Sequence, residues 1–215
     1  RGDLGNSIFL RQPVFKVIIE RMEPSLVQAA LALFLAVIIG VPLGVIAAVN
    51  HKTWADQFVI FTALLGISLP SFWIALVCIV IFSVNLGWLP AFGYQSIFSE
   101  GIGALKCLVI PTIIIGTSVS AIIARMTRST MLDVLNQDYI RTARAKGLSE
   151  KVVVYKHALR NAMVPVVTQI GFSLASLLAG TWVSETIFRI PGTGQLAIQA
   201  ITRRDFPVIQ GTMIF

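Results

Sequence analysis

One polar stretch of the chain combines basic side chains with small ones and lies between long apolar runs. It reads Asp138-Tyr139-Ile140-Arg141-Thr142-Ala143-Arg144-Ala145-Lys146-Gly147-Leu148. Guanidinium and ammonium groups donate hydrogen bonds to carboxylates and carbonyls. The alanines leave room for another backbone to approach. The chemistry that this pattern predicts is recognition of a second protein.

The alternative interpretation is a solvated basic loop, which charge alone would favour in a membrane protein. Local signals favour docking instead. Asn136 or Asp138 is the expected cap of a short helix over Tyr139–Ala145. Gly147 is expected to end that helix in a left-handed conformation, and Ser149 to cap a second helix. A helix, a glycine break and a second helix would present the stretch to a partner.

The composition places this stretch in a membrane protein. Of the 215 residues, 56% are hydrophobic and only 13% are charged, whereas soluble domains carry about 25% charged residues. The net charge of +7 would suggest nucleic acid in a soluble protein. Here the charges lie between apolar runs, so they predict orientation in a lipid bilayer and no nucleic-acid partner.

Four apolar runs are long enough to cross a bilayer, since a spanning helix needs about 20 mostly apolar residues. They are approximately Leu26–Val49, Phe58–Val84, Lys106–Ala124 and Ala162–Ser184. A fifth begins at Val208 and is cut by the last residue. Because backbone groups in lipid must be bonded internally, the runs predict an all-α, polytopic transmembrane helical bundle. We expect a longer protein that is truncated here at both ends.

The distribution of lysine and arginine predicts which side each connection faces. Residues 125–161 carry most of the basic side chains between the runs, and residues 85–105 carry none. Positive residues stay in the cytoplasm. Residues 125–161 and 50–57 are therefore predicted to be cytoplasmic, and residues 85–105 external.

The same rule divides the chain into segments. Residues 1–25 are predicted to be external, with a short helix lying on the membrane surface. Residues 26–215 form the transmembrane domain. It contains a cytoplasmic segment at 125–161 and a partly structured external loop at 185–207.

Some residues within the runs are candidates for a translocation path. They form mildly polar faces or flank a mid-span proline, and they are Ser68, Ser71, Thr117, Ser120, Gln169 and Ser173. For the residues on the polar faces, the alternative is a hydrogen bond between helices. Gly40 and Gly44 allow either close helix approach or a kinked helix. Pro70 removes a backbone hydrogen bond in mid-span.

The residue types that are absent from the four apolar runs limit how transport could be driven. No Asp, Glu, Arg or His lies inside the four runs, although proton- or ion-coupled carriers keep titratable groups at that depth. The chain also has no Gly-x-x-x-x-Gly-Lys-Ser/Thr phosphate loop. Energy is thus expected from a partner, or transport is passive. His51 and His157 are isolated, so no metal site is predicted.

The stretch, continued by His157-Ala158-Leu159-Arg160-Asn161-Ala162 and Pro165, resembles the coupling segment of ATP-binding-cassette importer permeases. The general motif has Glu-Ala-Ala before the glycine, and this chain has Arg141-Thr142-Ala143 before Gly147. That departure is usual for the dipeptide, oligopeptide and nickel branch. Further similarities are Gly2-Asp3-Leu4-Gly5, Ile39-Gly40-Val41-Pro42-Leu43-Gly44, Ser68-Leu69-Pro70-Ser71-Phe72-Trp73, Gly87-Trp88-Leu89-Pro90, Glu185-Thr186-Ile187-Phe188, Pro191-Gly192-Thr193-Gly194 and Arg204-Asp205-Phe206-Pro207.

The resemblance implies a type I importer permease of about six spans, similar to the first of two paired permeases. It implies a second homologous permease, two ATPase subunits, an external substrate-binding protein and a bacterial or archaeal cytoplasmic membrane. No cofactor is expected on this chain, and ATP and Mg are expected on the ATPase subunits. No residue is expected to be catalytic. The implied cargo is di- or oligopeptides. Nickel, glutathione or sugars in the same importer class are alternatives, as is an ion-coupled secondary transporter.

The resemblance also assigns roles to residues. Coupling to the ATPase falls on Tyr139, Arg141, Ala143, Lys146 and Gly147. Ala143 and Gly147 are expected to seat the helix in a groove of the ATPase, with Arg141 and Lys146 as polar anchors. The polar tip of the external loop, Arg203-Arg204-Asp205, is expected to contact the binding protein. A rigid structural loop is the alternative for that tip.

Overall fold

The computed structural model describes residues 4–96 and 101–214, and the regular elements in these ranges are helices. In chain order they are α1 (Val14–Val49), α2 (Trp54–Ser68), α3 (Ser71–Cys78), α4 (Leu105–Leu135), α5 (Asp138–Ala145), α6 (Glu150–Val152), α7 (Leu159–Gly180), α8 (Trp182–Phe188), α9 (Thr193–Arg203) and α10 (Phe206–Ile214). The stretches Ile79–Asn85 and Val153–Ala158 continue α3 and α6 as π-helix, and a 3-10 turn, Gly101–Ala104, precedes α4. The all-α prediction is confirmed.

The long helices match the predicted spans, with one difference. Three helical stretches are long and apolar enough to cross a membrane, namely α1, α4 and Glu150–Ala179. The predicted run Phe58–Val84 is instead a bent pair, because α2 ends at Ser68 and α3 begins at Ser71. Leu69 between them is extended. A proline pushes the residue before it out of the helical region, so Pro70 accounts for the break.

The N-terminal segment also differs from its prediction. A short surface helix before the first span was expected, and a single helix, α1, begins at Val14 and continues through the predicted span. Val14, Val17 and Ile18 are buried by the protein itself. Their apolar face packs against residues of α9 and α10, chiefly Leu196 and Val208. Residues distant in sequence thus cover the face that was predicted to meet lipid.

Internal packing divides the chain into two compact units. Unit 1 comprises the described parts of Arg1–Ala30, Phe72–Thr112 and Ser176–Phe215. Unit 2 comprises Leu31–Ser71 and Ile113–Ala175. Of the sites predicted above, the coupling and path residues lie in unit 2, and Arg203-Arg204-Asp205 lies in unit 1.

Unit 2 is held by close contact between α1 and α4. A Cβ atom on Gly40 would lie 2.7 Å from the Ser120 carbonyl oxygen, and one on Gly44 would lie 2.5 Å from Thr127 Cβ. Side chains are therefore excluded at both glycines. The close-approach interpretation of Gly40 and Gly44 describes this geometry. Beside the glycines, Ala36, Ile123 and Val166 form a buried cluster that adds α7.

Candidate functional site

The predicted docking helix forms as α5 and has one buried face. Ile140 is fully buried and Ala143 is 8% exposed, while the other residues of α5 are exposed. A spacing of three residues places Ile140 and Ala143 on the same side of a helix. The exposed residues of α5 include Arg141 and Arg144. The helix is therefore amphipathic, with its basic groups turned outward.

The buried face of α5 joins a core made by several helices of unit 2. The cluster consists of Val45, Ala48, Met131, Ile140, Ala143, Val153, Val154, Ala158 and Ala162. The ends of α1 and α4 thus fix the position of α5. The small side chain of Ala143 is explained by this internal packing, which corrects the idea that it leaves room for a partner. The exposed small positions are Ala145 and Gly147.

The two ends of α5 agree to different extents with the caps predicted from the sequence. Gln137 is the N-cap and makes no side-chain cap hydrogen bond, so neither Asn136 nor Asp138 fills the capping role. Asp138 instead occupies the first turn, where a carboxylate is favoured by the helix dipole. At the other end Gly147 has φ +79°, the left-handed conformation predicted for it. A Cβ atom on Gly147 would meet no atom within 4 Å.

Two polar contacts tie α5 to the elements that follow it. Arg144 Nε donates to Glu150 Oε1 over 2.8 Å, next to the start of α6. Asn161 Nδ2 of α7 donates to the Tyr139 hydroxyl over 2.7 Å. Both contacts are exposed, so each contributes little by itself. The side chains of Arg141 and Lys146 are exposed on the protein surface.

A buried carboxylate links the turn after α1 to α4. Asp56 accepts from Nε and Nη2 of Arg128, at 2.5 and 2.8 Å, and from the backbone N–H of Lys52 at 3.0 Å. His51 Nδ1 lies 3.3 Å from the same carboxylate. The two segments joined here are those that the charge pattern assigns to one side of the membrane.

The six candidate path residues have different surroundings within unit 2. Ser68 and Ser71 are exposed on either side of the Leu69–Pro70 break. The hydroxyls of Thr117 and Ser120 donate to carbonyl oxygens of their own helix, α4.

On α7, Ser173 is buried, and Gln169 lines an open cavity beside Arg125. Thr117 and Ser120 thus hydrogen-bond within α4 and not to another helix, and Gln169 is the member with a cavity next to it.

The predicted tip of the external loop splits into exposed and buried parts. Arg203 and Arg204 are exposed. Asp205 is 3% exposed, and its carboxylate accepts from Ser7 Oγ and from the backbone N–H of Ile8. Burial would raise the pKa of Asp205, but these hydrogen bonds outweigh it and lower the pKa. These contacts tie Asp205 to the N-terminal turn, so the exposed residues of the predicted tip are the two arginines.

A second buried carboxyl group of unit 1 was missed by the sequence analysis. Glu185 Oε1 accepts from the hydroxyls of Ser25 and Thr181, at 2.7 and 2.8 Å, and Oε2 accepts from the Gln195 N–H at 2.8 Å. Gln195 lies in the first turn of α9. Gly192 lies directly against the Glu185 carboxyl group, where no Cβ would fit. The sequence signal for this contact was Gly192, which directly precedes a helix and follows the acidic residue Glu185 by seven positions.

Comparisons with known proteins agree with this architecture. Residues 40–215 match the family of binding-protein-dependent transport system inner membrane components. A putative peptide transport system permease protein of Brucella suis is 46% identical over 99% of this chain and 68% of its own length. The dipeptide permease DppB of Alkalihalophilus pseudofirmus is 42% identical over 99% of this chain and 70% of its own length.

Two further proteins extend the comparison. The glutathione permease GsiC of Escherichia coli K12 is 42% identical over 100% of this chain and 67% of its own length. Among solved structures, a chain of the inward-facing MetNI methionine ABC transporter superposes with a TM-score of 0.71 at 18% identity, covering 93% of this chain and 87% of that one. The fold is that of a type I importer permease. The chain belongs to the binding-protein-dependent transport system inner membrane component family, whose members are the membrane subunits of ABC importers.

Proposed function

We propose that this permease moves di- or oligopeptides across a bacterial or archaeal cytoplasmic membrane by alternating access. Relatives named for peptide and dipeptide transport cover nearly the whole chain. The relative named for glutathione transport, at 42% identity, keeps glutathione as a second candidate cargo. Glutathione is itself a small peptide, so one path for short peptides accounts for both names.

The partners that we propose follow from the family and from the absence of a phosphate loop in this sequence. They are a second homologous permease, two ATPase subunits that bind ATP and Mg, and an external substrate-binding protein. We propose that residues 125–161 face the cytoplasm. The ion pair between Asp56 and Arg128 supports one part of this proposal, that residues 50–57 and 125–161 lie on the same side of the membrane.

The observation that carries the coupling proposal is the amphipathic placement of α5. One face of α5 packs into the core of unit 2, while Tyr139 and Arg141 of the helix, and Lys146 and Gly147 directly after it, are exposed. A force on the exposed face would be transmitted directly to α1 and α4 through Ile140. ATP-driven closure of the ATPase subunits would then shift unit 2 between two states. Ala143 acts from inside, as a packing residue.

Gly147 offers the sharpest test, because the space beyond it is open. Gly147→Trp should lower ATP-dependent dipeptide uptake at least tenfold while leaving ATP hydrolysis measurable. The bulky ring would occupy the space that we assign to the ATPase. Gly147→Ala adds backbone strain of about 1–2 kcal/mol but hardly any volume, and it should retain most of the uptake. Both activities are measured on the assembled transporter in proteoliposomes.

Gly87 provides the matched control for this test. It also has positive φ, +63°, and open space where a Cβ would lie, but it belongs to a segment predicted to be external. Gly87→Trp should therefore leave coupling unchanged. Wild-type uptake by Gly147→Trp would overturn the coupling role of this surface.

The exposed arginines of the α9–α10 turn are proposed to contact the binding protein. Arg204 has φ +55°, and asparagine tolerates that conformation better than most residues. Arg203→Gln combined with Arg204→Asn should remove the charge without straining the turn. Stimulation of ATP hydrolysis by the binding protein should fall. Unchanged stimulation would assign the turn a structural role only.

A further inference from the structure

A second polar feature of unit 2 lies away from α5. It is an open cavity of about 350 Å³ lined by Ile122, Arg125, Met126, Ser129 and Gln169. The first four residues follow one face of α4, because they are spaced by three, four and seven positions. Gln169 is contributed by α7. The wall therefore combines one cation, one amide and one hydroxyl with two apolar side chains.

Arg125 differs from its neighbour Arg128 in having no acidic partner among the described residues. Arg128 forms an ion pair with the buried Asp56. Arg125 is exposed, and across residues 4–96 and 101–214 no Asp or Glu lies within ion-pair distance of it. An arginine without a partner, at the rim of a cavity with an amide and a hydroxyl, is arranged to bind an anion.

The position of Arg125 limits what that anion can be. Arg125 directly follows the predicted span Lys106–Ala124, so it stands where that span meets the cytoplasm. A peptide that leaves a path beside α4 and α7 would pass this cavity. Every unmodified peptide ends in a carboxylate, whatever its side chains are. Ile122 and the adaptable Met126 offer apolar surface to varied side chains.

We propose that this cavity is an exit site that binds the C-terminal carboxylate of a transported peptide, with Arg125 as the anion-binding group and Ser129 and Gln169 as hydrogen-bonding groups. The proposal rests on the proposed peptide function and goes further, because it assigns residues to one end of the cargo. Binding at an exit must be weak enough for release. A partly exposed guanidinium, screened by solvent, meets that requirement.

Protection of a thiol placed in the cavity tests the proposal. Ser129→Cys is introduced together with Cys78→Ala and Cys107→Ala, and maleimide labelling of this chain is followed in the assembled transporter. Millimolar alanyl-leucine should slow the labelling, and alanyl-leucine amide should not. Adding Arg125→Gln should raise the dipeptide concentration needed for protection about tenfold, as expected for loss of one charge-assisted hydrogen bond.

Lys156→Gln is the matched control, since Lys156 is an exposed cation of the same unit that lies outside the cavity. It removes the same charge and should leave protection unchanged. Equal protection by the dipeptide and its amide would overturn carboxylate recognition. Unchanged protection in Arg125→Gln would overturn the role of Arg125.

A lipid phosphate is the competing source of an anion. Labelling is therefore repeated in nanodiscs of phosphatidylcholine with and without phosphatidylglycerol. Slowing by phosphatidylglycerol, with no effect of the dipeptide, would assign the cavity to lipid and overturn the proposal.

Uptake of alanyl-leucine in the same preparation separates the two proposals. Uptake without protection overturns the exit site alone, and protection without uptake keeps the site but removes peptide import. If neither occurs, both proposals fail.

Discussion

The two units bury carboxyl groups by different chemistry. In unit 2, the carboxylate of Asp56 faces a cation, because Arg128 donates two hydrogen bonds to it. In unit 1, Glu185 is fully buried, and its described partners are neutral hydroxyls and a backbone N–H. Asp205 follows the pattern of unit 1, with Ser7 and backbone N–H groups.

This difference determines what each group does for the fold. A buried ion pair is strongly directional, and removing one member leaves the other charge without compensation. Neutral donors stabilise a buried carboxyl group through several weaker hydrogen bonds, so the loss of any one bond is tolerated better. Among the described residues, the buried acid of unit 2, the unit with the proposed coupling surface, is thus held by one ion pair. Unit 1 is joined by distributed polar contacts.

The largest effect is expected from removing the acid of the ion pair. Asp56→Ala leaves the Arg128 guanidinium without its carboxylate, although the His51 ring nitrogen stays within 3.2 Å of it. Removing one member costs about 3–5 kcal/mol in a fully buried pair. Because the Arg128 side chain is 21% exposed, we expect about 2–3 kcal/mol here after allowing for solvent. The apparent Tm of the tagged subunit in the detergent-solubilised transporter should fall by roughly 5 °C or more.

The double variant Asp56→Asn with Arg128→Gln is the control for this prediction. It removes both charges together, so it should be less destabilised than Asp56→Ala alone. If Asp56→Ala lowered the apparent Tm by no more than an exposed pair would, such as loss of Glu150 beside Arg144, the contrast between the units would disappear.

A smaller effect is expected from crowding the polar network of unit 1. Gly192→Ala would place a methyl group against the Glu185 carboxyl group and displace it from the first turn of α9. Overpacking of this kind costs about 1–3 kcal/mol. Gly171→Ala is the matched control, because a Cβ there meets nothing within 4 Å. Equal apparent Tm values for the two variants would mean that the network adapts freely.

The local features of this fold could be predicted from sequence. The apolar runs predicted the long helices, Gly147 predicted a left-handed helix end, and the paired glycines allowed the close approach of α1 and α4. Each of these follows from residues that are neighbours along the chain. Pro70 predicted a lost backbone hydrogen bond within the run Phe58–Val84, but not the end of one helix and the start of another at Leu69–Pro70.

The errors concern contacts between distant residues. Ser25 and Glu185 are 160 positions apart in the sequence, and the hydrogen bond from Thr193 to Ser25 joins residues 168 positions apart. No local sequence pattern reveals such pairs. For the same reason the buried sides of Ala143 and Asp205 were not foreseen. An amphipathic stretch indicates that one face is covered, but it does not say whether lipid, a partner or the chain itself covers it.

Replacing the Glu185 carboxyl group by an amide should extend the contrast between the two units. Glu185→Gln keeps the shape of the side chain and one acceptor oxygen. Its amide N–H₂ group replaces the other acceptor oxygen and would therefore face a hydrogen-bond donor. We expect a loss of about 1–2 kcal/mol, clearly less than for Asp56→Ala. The measurement is the apparent Tm of the tagged subunit, with Thr186→Val at the neighbouring exposed position as control. A loss as large as that of Asp56→Ala would show that this buried acid of unit 1 also depends on one strong interaction.

The smallest effect is a pH dependence that tests whether neutral donors hold a charged group in unit 1. The pKa of Asp205 lies below its ordinary value of 3.8, because hydrogen bonds outweigh burial. Its contribution to stability is therefore present above about pH 3.8 and is lost as the pH falls through the lower pKa of the folded state. Ser7→Ala removes the strongest of these bonds but leaves the backbone donors, so it should cost about 1 kcal/mol at neutral pH. That cost should shrink in acid, because protonated Asp205 accepts the Ser7 hydrogen bond less strongly. A cost that stayed constant with pH would mean that Ser7 acts by packing, and Asp205 would no longer belong with Glu185 in the contrast with Asp56.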